Sequence, residues 1–356
     1  MGGSTLRQKK RQINFKVLLY PALLLVLIGA AAVAVSVGAV PFTLREIGAI
    51  LLSPLGLPCG EIDPVKKDIL LQLRLPRVIL AGAVGAALAT SGAAFQGLFR
   101  NPMADSYVIG VSSGAALGAV AAMLAGLPPA WGGMGMVPLF AFAGGAATLI
   151  LVYRMARVGG EVPVMPLLLA GIAVSAFLSA LVSLLTYFSD EKLHQVVFWI
   201  MGGLSGATWA KVKMMVPYTL LGFAAVYFYS RELNALLFGE ETAHHLGIDI
   251  EKVKKILLLG SSLLVAAAVS TSGVIGFVGL VVPHFIRLLI GPDHRHLLPA
   301  SALLGAALLT VTDTLGRTVI APRELPVGII TAILGAPLFL YLLRKRKKLR
   351  YFNLSE

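Results

Sequence analysis

The sequence predicts an all-α polytopic membrane protein of about ten spanning helices. Three observations carry that prediction. Hydrophobic residues make up 57% of the chain, charged residues only 13%, and the mean hydropathy is +0.86, whereas soluble domains are about half apolar and about a quarter charged. The apolar residues gather into runs of about 20, the length a helix needs to cross about 30 Å of hydrocarbon. The breaks between runs carry charges, prolines and paired glycines, which lipid does not tolerate because it offers backbone polar groups no partner. With 356 residues the chain has room for these spans and short loops, so residues 1–356 form a single transmembrane domain.

In chain order, a basic segment over 1–16 with Arg7, Lys9, Lys10, Arg11 and Lys16 precedes the first span, 17–40. A secretory signal shares the basic start but has a shorter core that ends at a small-residue cleavage site; this run is long enough to remain as a helix. Residues 41–68 mix Phe42, Leu44, Ile47, Ile50 and Leu51 with charges and prolines, the pattern of an amphipathic helix on the membrane surface. The second and third spans, 71–98 and 107–126, are rich in Gly and Ala, and Gly110, Gly114 and Gly118 recur at the spacing that lets membrane helices approach closely. Between them Asn101-Pro102 is a helix stop, since proline removes a donor and pushes the residue before it out of the helical region.

Further spans are expected at 137–157, 165–188, 213–230, 254–271, 274–290, 297–316 and 326–343, before a basic tail at 344–356. His194 to Thr208 is apolar but too short to cross, and fits a half-helix broken at Gly202-Gly203. Ten spans return both termini to one side. On that topology 20 of the 30 Lys and Arg residues fall on the side of the termini, which makes that side cytoplasmic. The same retention of basic loops accounts for the net charge of +13 without nucleic acid.

Several chemistries find no footing. No Gly-x-x-x-x-Gly-Lys-Ser/Thr loop is present, so the chain holds no nucleotide in the usual way, and it lacks His-Glu-x-x-His and Gly-x-Ser-x-Gly motifs. The single Cys59 has no disulfide partner. No metal site is expected: the adjacent His244 and His245 point about 100° apart on a helix, and His284, His294 and His296 fit helix-end hydrogen bonding. Asp313 is the one carboxylate well inside a span, and Arg317 on the next turn makes it an ion pair rather than a proton relay.

The stretch LRLPRVILAGAVGAALATSGAAFQGLFRNPMADSYVIGVSSGAALG over 73–118, with GFVGLVVPHFIRLLIGPDHR and RELPVGIITAILGAPLFLYLL near the end of the chain, resembles the signature of the FecCD-type permeases. These are the membrane subunits of bacterial ABC importers for iron chelates, haem and cobalamin. The resemblance extends over nearly the whole chain. It implies the type II importer architecture, a homodimer with the pathway between two copies, two ATPase subunits that bind ATP and Mg, and an extracytoplasmic substrate-binding protein. The permease itself is no enzyme, binds no cofactor, and resides among lipid in a bacterial or archaeal cytoplasmic membrane.

The resemblance also assigns residues. The polar stretch 231–255 matches a cytoplasmic coupling loop, with Glu240, Glu241, Ala243, Leu246 and Gly247 at the ATPase contact and an apolar edge of Leu236, Leu237 and Leu246. Asn101, Pro102 and Met103 match the cytoplasmic gate; a plain turn with Asn101 as a cap gives the same local pattern. Pro163-Val164-Met165 is a second gate candidate. Arg74, Arg77 and Arg317 match residues that pair with carboxylates of the binding protein, or else snorkel at the interface. Ser175, Ser179, Ser183 and Met201 line the lumen or pack the bundle. The expected cargo is an iron complex, with cobalamin as the alternative and an ATPase-independent secondary carrier as a further one.

Overall fold

A computed structural model of the chain describes the backbone of residues 2–53, 63–127 and 135–352, and the side chains of 18–53, 63–127, 135–341 and 344. Cys59, the side chains of the N-terminal basic segment and most of those of the tail lie outside these residues. Among the described residues every element is helical apart from an isolated bridge between Val158 and Glu161.

The chain opens with α1 (Gly2–Ser36) and the short surface helix α2 (Leu44–Leu52). Thr43 and Glu46 form a capping box at the start of α2, and Ile50 is buried against Val35, Phe42 and Leu70. Hydrogen bonds from the Lys66 ammonium, then from Thr43, hold the Glu46 carboxyl down at about 2, so the cap stays charged at neutral pH. Next come α3 (Pro64–Asp68) and a π-helical stretch, Ile69–Arg74, that runs directly into α4 (Leu75–Leu98). The wider π turn frees carbonyls from the α pattern, and the Trp209 indole N–H donates to the one at Leu71 at 2.9 Å.

α4 is the hub. Apolar and small on all sides, it is buried along most of its length, as such a helix must be. It packs against α12 (Ile250–Ser272), α13 (Val278–Ile290), α14 (His294–Thr318) and α9 (Trp209–Phe228). Glycine makes the contacts possible. A Cβ on Gly85 would fall on the Gly305 carbonyl, and one on Gly92 on the Gly279 carbonyl, so the backbones touch directly. α5 (Val111–Leu124) and α6 (Met136–Ala156) pair in the same way through Gly114, Gly118 and Gly144.

The rest of the bundle comprises α7 (Val164–Tyr187), the half-helix α8 (Leu193–Ile200), α10 (Ser230–Leu236), α11 (Glu240–His245) and α15 (Val327–Phe352). Among the described residues six helices are long and apolar enough to cross a membrane; α9 and α10 form a seventh candidate bent by 52°; and α5, α13 and Val327–Tyr341 of α15 are shorter apolar helices. These match the ten expected segments one for one. Two begin later than expected. Residues 104–110 form turns ending at Gly110, φ +82°, which delays α5, and the break between α12 and α13 holds Gly273 and Phe277 both at φ +69°. The expected half-helix is α8, and the chain beyond it turns at Gly202, φ +70°, where a side chain would strike the Val274 carbonyl.

Substitution of Gly92 by Val is expected to destabilise the protein by about 1–3 kcal/mol, the range for overpacked sites, through its clash with Gly279. The check is a lowered thermal midpoint in mild detergent, with Gly48→Ala on α2, where a Cβ meets nothing within 4 Å, as the neutral comparison.

Candidate functional site

Three groups of residues predicted from the sequence fall at two ends of the bundle. At one end α4 stops in a Schellman arrangement: the Arg100 N–H donates to the Gly97 carbonyl and the Asn101 N–H to the Gln96 carbonyl, each at 3.1 Å, with Arg100 left-handed at φ +49°. Pro102 follows where the helix has already ended. The Asn101 side chain accepts from the Met103 N–H at 2.9 Å; this closes an Asx turn and leaves α5 uncapped by it. Met103 is 54% exposed at the tip. Gln96, just inside α4, accepts from Arg287 of α13 at 2.7 Å and donates to the Leu280 carbonyl at 3.1 Å, which secures the base of the loop.

The segment expected to serve as a coupling loop, 231–255, lies beside this loop. The Arg100 guanidinium is 3.7 Å from the position a Cβ on Gly239 would take, immediately before α11. The Glu-x-Ala-x-x-x-Gly pattern has a structural reason: Ala243 is fully buried, and Gly247, φ +78°, ends α11 by donating to His244 at 2.9 Å while Ile248 donates to Ala243 at 3.2 Å. Glu241, Leu246 and Gly247 are exposed. The apolar edge differs from the expected one. Leu236 is buried and Leu237 half-buried, and the large exposed apolar side chains are Phe238 and Leu246, 79% and 68% exposed. Glu240 is turned to a lysine of α12, Lys254, at 2.8 Å.

α10 has its own anchor. Asn234 donates to the Asp293 carboxylate at 2.7 Å, while its carbonyl oxygen accepts the His294 backbone N–H at 2.8 Å and lies 2.8 Å from the His294 ring nitrogen Nδ1. Arg295, first, and Asn234 hold the Asp293 carboxyl well below the ordinary carboxylate range. The His294 ring rests against Gly97, where no side chain would fit. His296 meets the Tyr20 hydroxyl at 3.1 Å. These two histidines are helix-end hydrogen-bonders.

At the opposite end the three predicted arginines are held within the chain's own network. Arg77 forms paired bonds with Asp313 at 2.9 Å and with Glu324 at 2.9 and 3.0 Å. Asp313 is only 2% exposed and Arg77 14%, whereas Glu324 is 41% exposed and faces outward. Arg317 approaches the same Asp313 at 3.9 Å and donates to the Ala34 carbonyl. The pairing foreseen for Asp313 is present, yet its closer partner is Arg77. Arg74 is buried, donates to the Val35 and Val40 carbonyls, and stacks 4.7 Å from the Phe42 ring centre.

Between the ends, α5, α7 and α8 border a recess of about 800 Å³ whose polar lining is hydroxyl: Tyr107, Ser112, Ser113, Ser179, Ser183, Thr186 and Tyr187. No Lys, Arg, His, Asp or Glu lines it. Ser183 and Thr186 donate to carbonyls one turn back, at 3.0 and 2.7 Å, and Ser113 meets Ser179 at 3.3 Å. Of the predicted lumen residues Ser179 and Ser183 are here. Ser175 instead bonds the Gly171 carbonyl at 2.6 Å, against Gly110, and Met201 lies outside the recess.

A bundle with broken helices, a weakly polar internal wall and a bracketed surface loop is the build of a membrane permease. The chain belongs to the FecCD transport family, whose model matches residues 22–345. The cobalamin import system permease protein BtuC of Halobacterium salinarum is 42% identical over 353 residues, covering 90% of this chain and 94% of that protein. The hemin transport system permease protein HmuU of Yersinia pestis is 44% identical over 317 residues, 86% of this chain and 92% of the relative. A solved metal-chelate type ABC transporter in an inward-facing conformation superposes with a TM-score of 0.81 at 34% identity, over 92% of this chain and 99% of that one. The protein is thus a permease of the ABC-importer type, a multi-pass membrane component that works with a separate ATPase.

Removing the carboxylate at the arginine cluster tests its structural weight. Asp313→Ala leaves Arg77 with only its outer partner and Arg317 with only the Ala34 carbonyl, and should cost about 3–5 kcal/mol, the range for breaking a buried ion pair. Asp313→Asn, which keeps hydrogen-bond acceptance, should cost less; denaturation midpoints in detergent compare the two.

Proposed function

We propose that the chain is the translocating subunit of a binding-protein-dependent importer for a bulky metal chelate, with an iron complex, haem or ferric siderophore, as cargo. Two copies would form the pathway between them, each contributing its hydroxyl-lined recess. Two ATPase subunits, with their ATP and Mg, would dock on α11. The observation that carries this reading is the pair of exposed apolar side chains, Phe238 and Leu246, that flank α11, on a segment whose Gly239 lies close to Arg100 at the base of the Asn101–Met103 loop. Such an edge suits a partner-binding surface close to the proposed gate.

An uncharged wall of hydroxyl and apolar groups suits a large cargo that is passed on rather than gripped, since selection can rest with the binding protein. Cobalamin is the second reading, favoured by the 42% identity to the BtuC relative. The end bearing α11 would face the cytoplasm, in line with the excess of basic residues there. Binding-protein docking falls to the end bearing Arg74, Arg77 and Arg317, where Glu324 would compete with the acidic partner for Arg77.

Three measurements test the proposal. A P-loop ATPase should co-purify with the chain in mild detergent, and Phe238→Asp with Leu246→Asp should abolish that while sparing the fold, because both side chains are exposed. Retention of the ATPase by the double variant would overturn the docking site. Glu324→Gln should tighten binding-protein docking a few-fold at low salt, with the gain shrinking as salt rises; weaker or unaltered docking would remove Arg77 from the contact. Uptake assays with haem, a ferric siderophore and cobalamin decide the cargo, and saturable transport of cobalamin alone would replace the iron assignment.

A further inference from the structure

Lys254 is a charged side chain in an improbable place. It lies near the start of α12, its side chain only 5% exposed, and it joins three segments. Its Nζ donates to Glu240 of α11 at 2.8 Å, to Glu251 of its own helix at 3.1 Å, and to the Val162 carbonyl at 3.5 Å. Glu251 completes the arrangement by accepting the Val162 N–H through its other oxygen at 3.0 Å. The turn at Val162 is therefore held through both its backbone N–H and its C=O, by the two members of one ion pair.

Only Pro163, whose ring fixes φ, separates Val162 from α7, which begins at Val164. α7 carries Ser179, Ser183 and Thr186 into the recess. A displacement of α11 has a short and stiff route to the recess wall: Glu240, Lys254, Val162, Pro163, α7. Burying an ammonium is expensive unless it is fully paired, so the three segments move as a unit or the lysine loses its partners.

We propose that Lys254 is a positioning residue for coupling, which ties the ATPase-docking helix α11 to the pathway helix α7 so that motion of one displaces the other. This rests on the importer reading and assigns a new residue within it. The bland alternative, that Lys254 only holds the fold together, makes a different prediction. It would lower the amount of assembled complex without altering cargo moved per ATP hydrolysed.

The test is made on the full transporter, permease with its ATPase, reconstituted in liposomes with the binding protein. Lys254→Met removes the charge, and the carboxylates left behind are 39% and 36% exposed, so water can take over their solvation. Assembled complex should still hydrolyse ATP, while cargo moved per ATP falls about tenfold, within the usual span of a coupling energy. Lys254→Arg, which keeps charge and donors, should restore most of the ratio. An unchanged ratio in Lys254→Met would overturn the proposal, as would a loss that Lys254→Arg fails to mend.

If Lys254→Met does not assemble, Glu251→Ala decides, because it releases the Val162 N–H yet leaves the Lys254–Glu240 pair standing. It should uncouple in the same way, and a wild-type ratio there overturns the proposal. Failure of the wild-type chain to bind any ATPase would instead strike at the importer reading itself.

Discussion

The interaction on which this structure depends is direct backbone contact between helices. In lipid, apolar side chains gain nothing by leaving one greasy environment for another, so helix association rests on close packing and on polar pairing. α4 illustrates the rule, with Gly85 against Gly305 and Gly92 against Gly279. Because α4 packs most closely against α9, α12, α13 and α14, its glycines set where those helices lie. They also set the position of the loop that follows at Asn101–Met103.

Given that frame, the irregular backbone is confined to places where the bundle itself supplies partners. The Gly202 turn after α8 fits against the break between α12 and α13, with the Gly203 N–H donating to the Ser272 carbonyl at 2.8 Å. Tyr107 clips the same break by accepting the Ile275 N–H at 2.9 Å. Such segments are tolerated at membrane depth because protein, not lipid, satisfies them.

Much of this was legible in the sequence, for identifiable reasons. Spans announce themselves through hydropathy, and Asn101-Pro102 through the steric effect of the proline ring. The Glu-x-Ala-x-x-x-Gly pattern stands out because Ala243 must fit a buried contact and Gly247 a left-handed turn. Polar partnerships between distant segments left no such trace. Arg77 meets Glu324 across a separation of 247 residues, and no periodicity links them; the one visible neighbour of Asp313, Arg317, proved the looser contact. The burial of Lys254 was hidden likewise, since a lysine near the start of a helix looks solvated until its neighbours are known. Phe238 escaped notice because Leu236 and Leu237 just before it share its apolar character and only the fold separates buried from exposed.

The hydroxyls of the recess carry a kinetic consequence. Ser183 and Thr186 have already committed their protons to backbone carbonyls of their own helix, so they offer a passing molecule oxygen lone pairs and little to donate. Under the importer reading, a cargo whose surface is rich in acceptors would find few partners at these two residues. If the recess forms part of the pathway, as proposed above, residence on it would be brief, and the pace of passage would follow how often the helices rearrange rather than how slowly the cargo lets go.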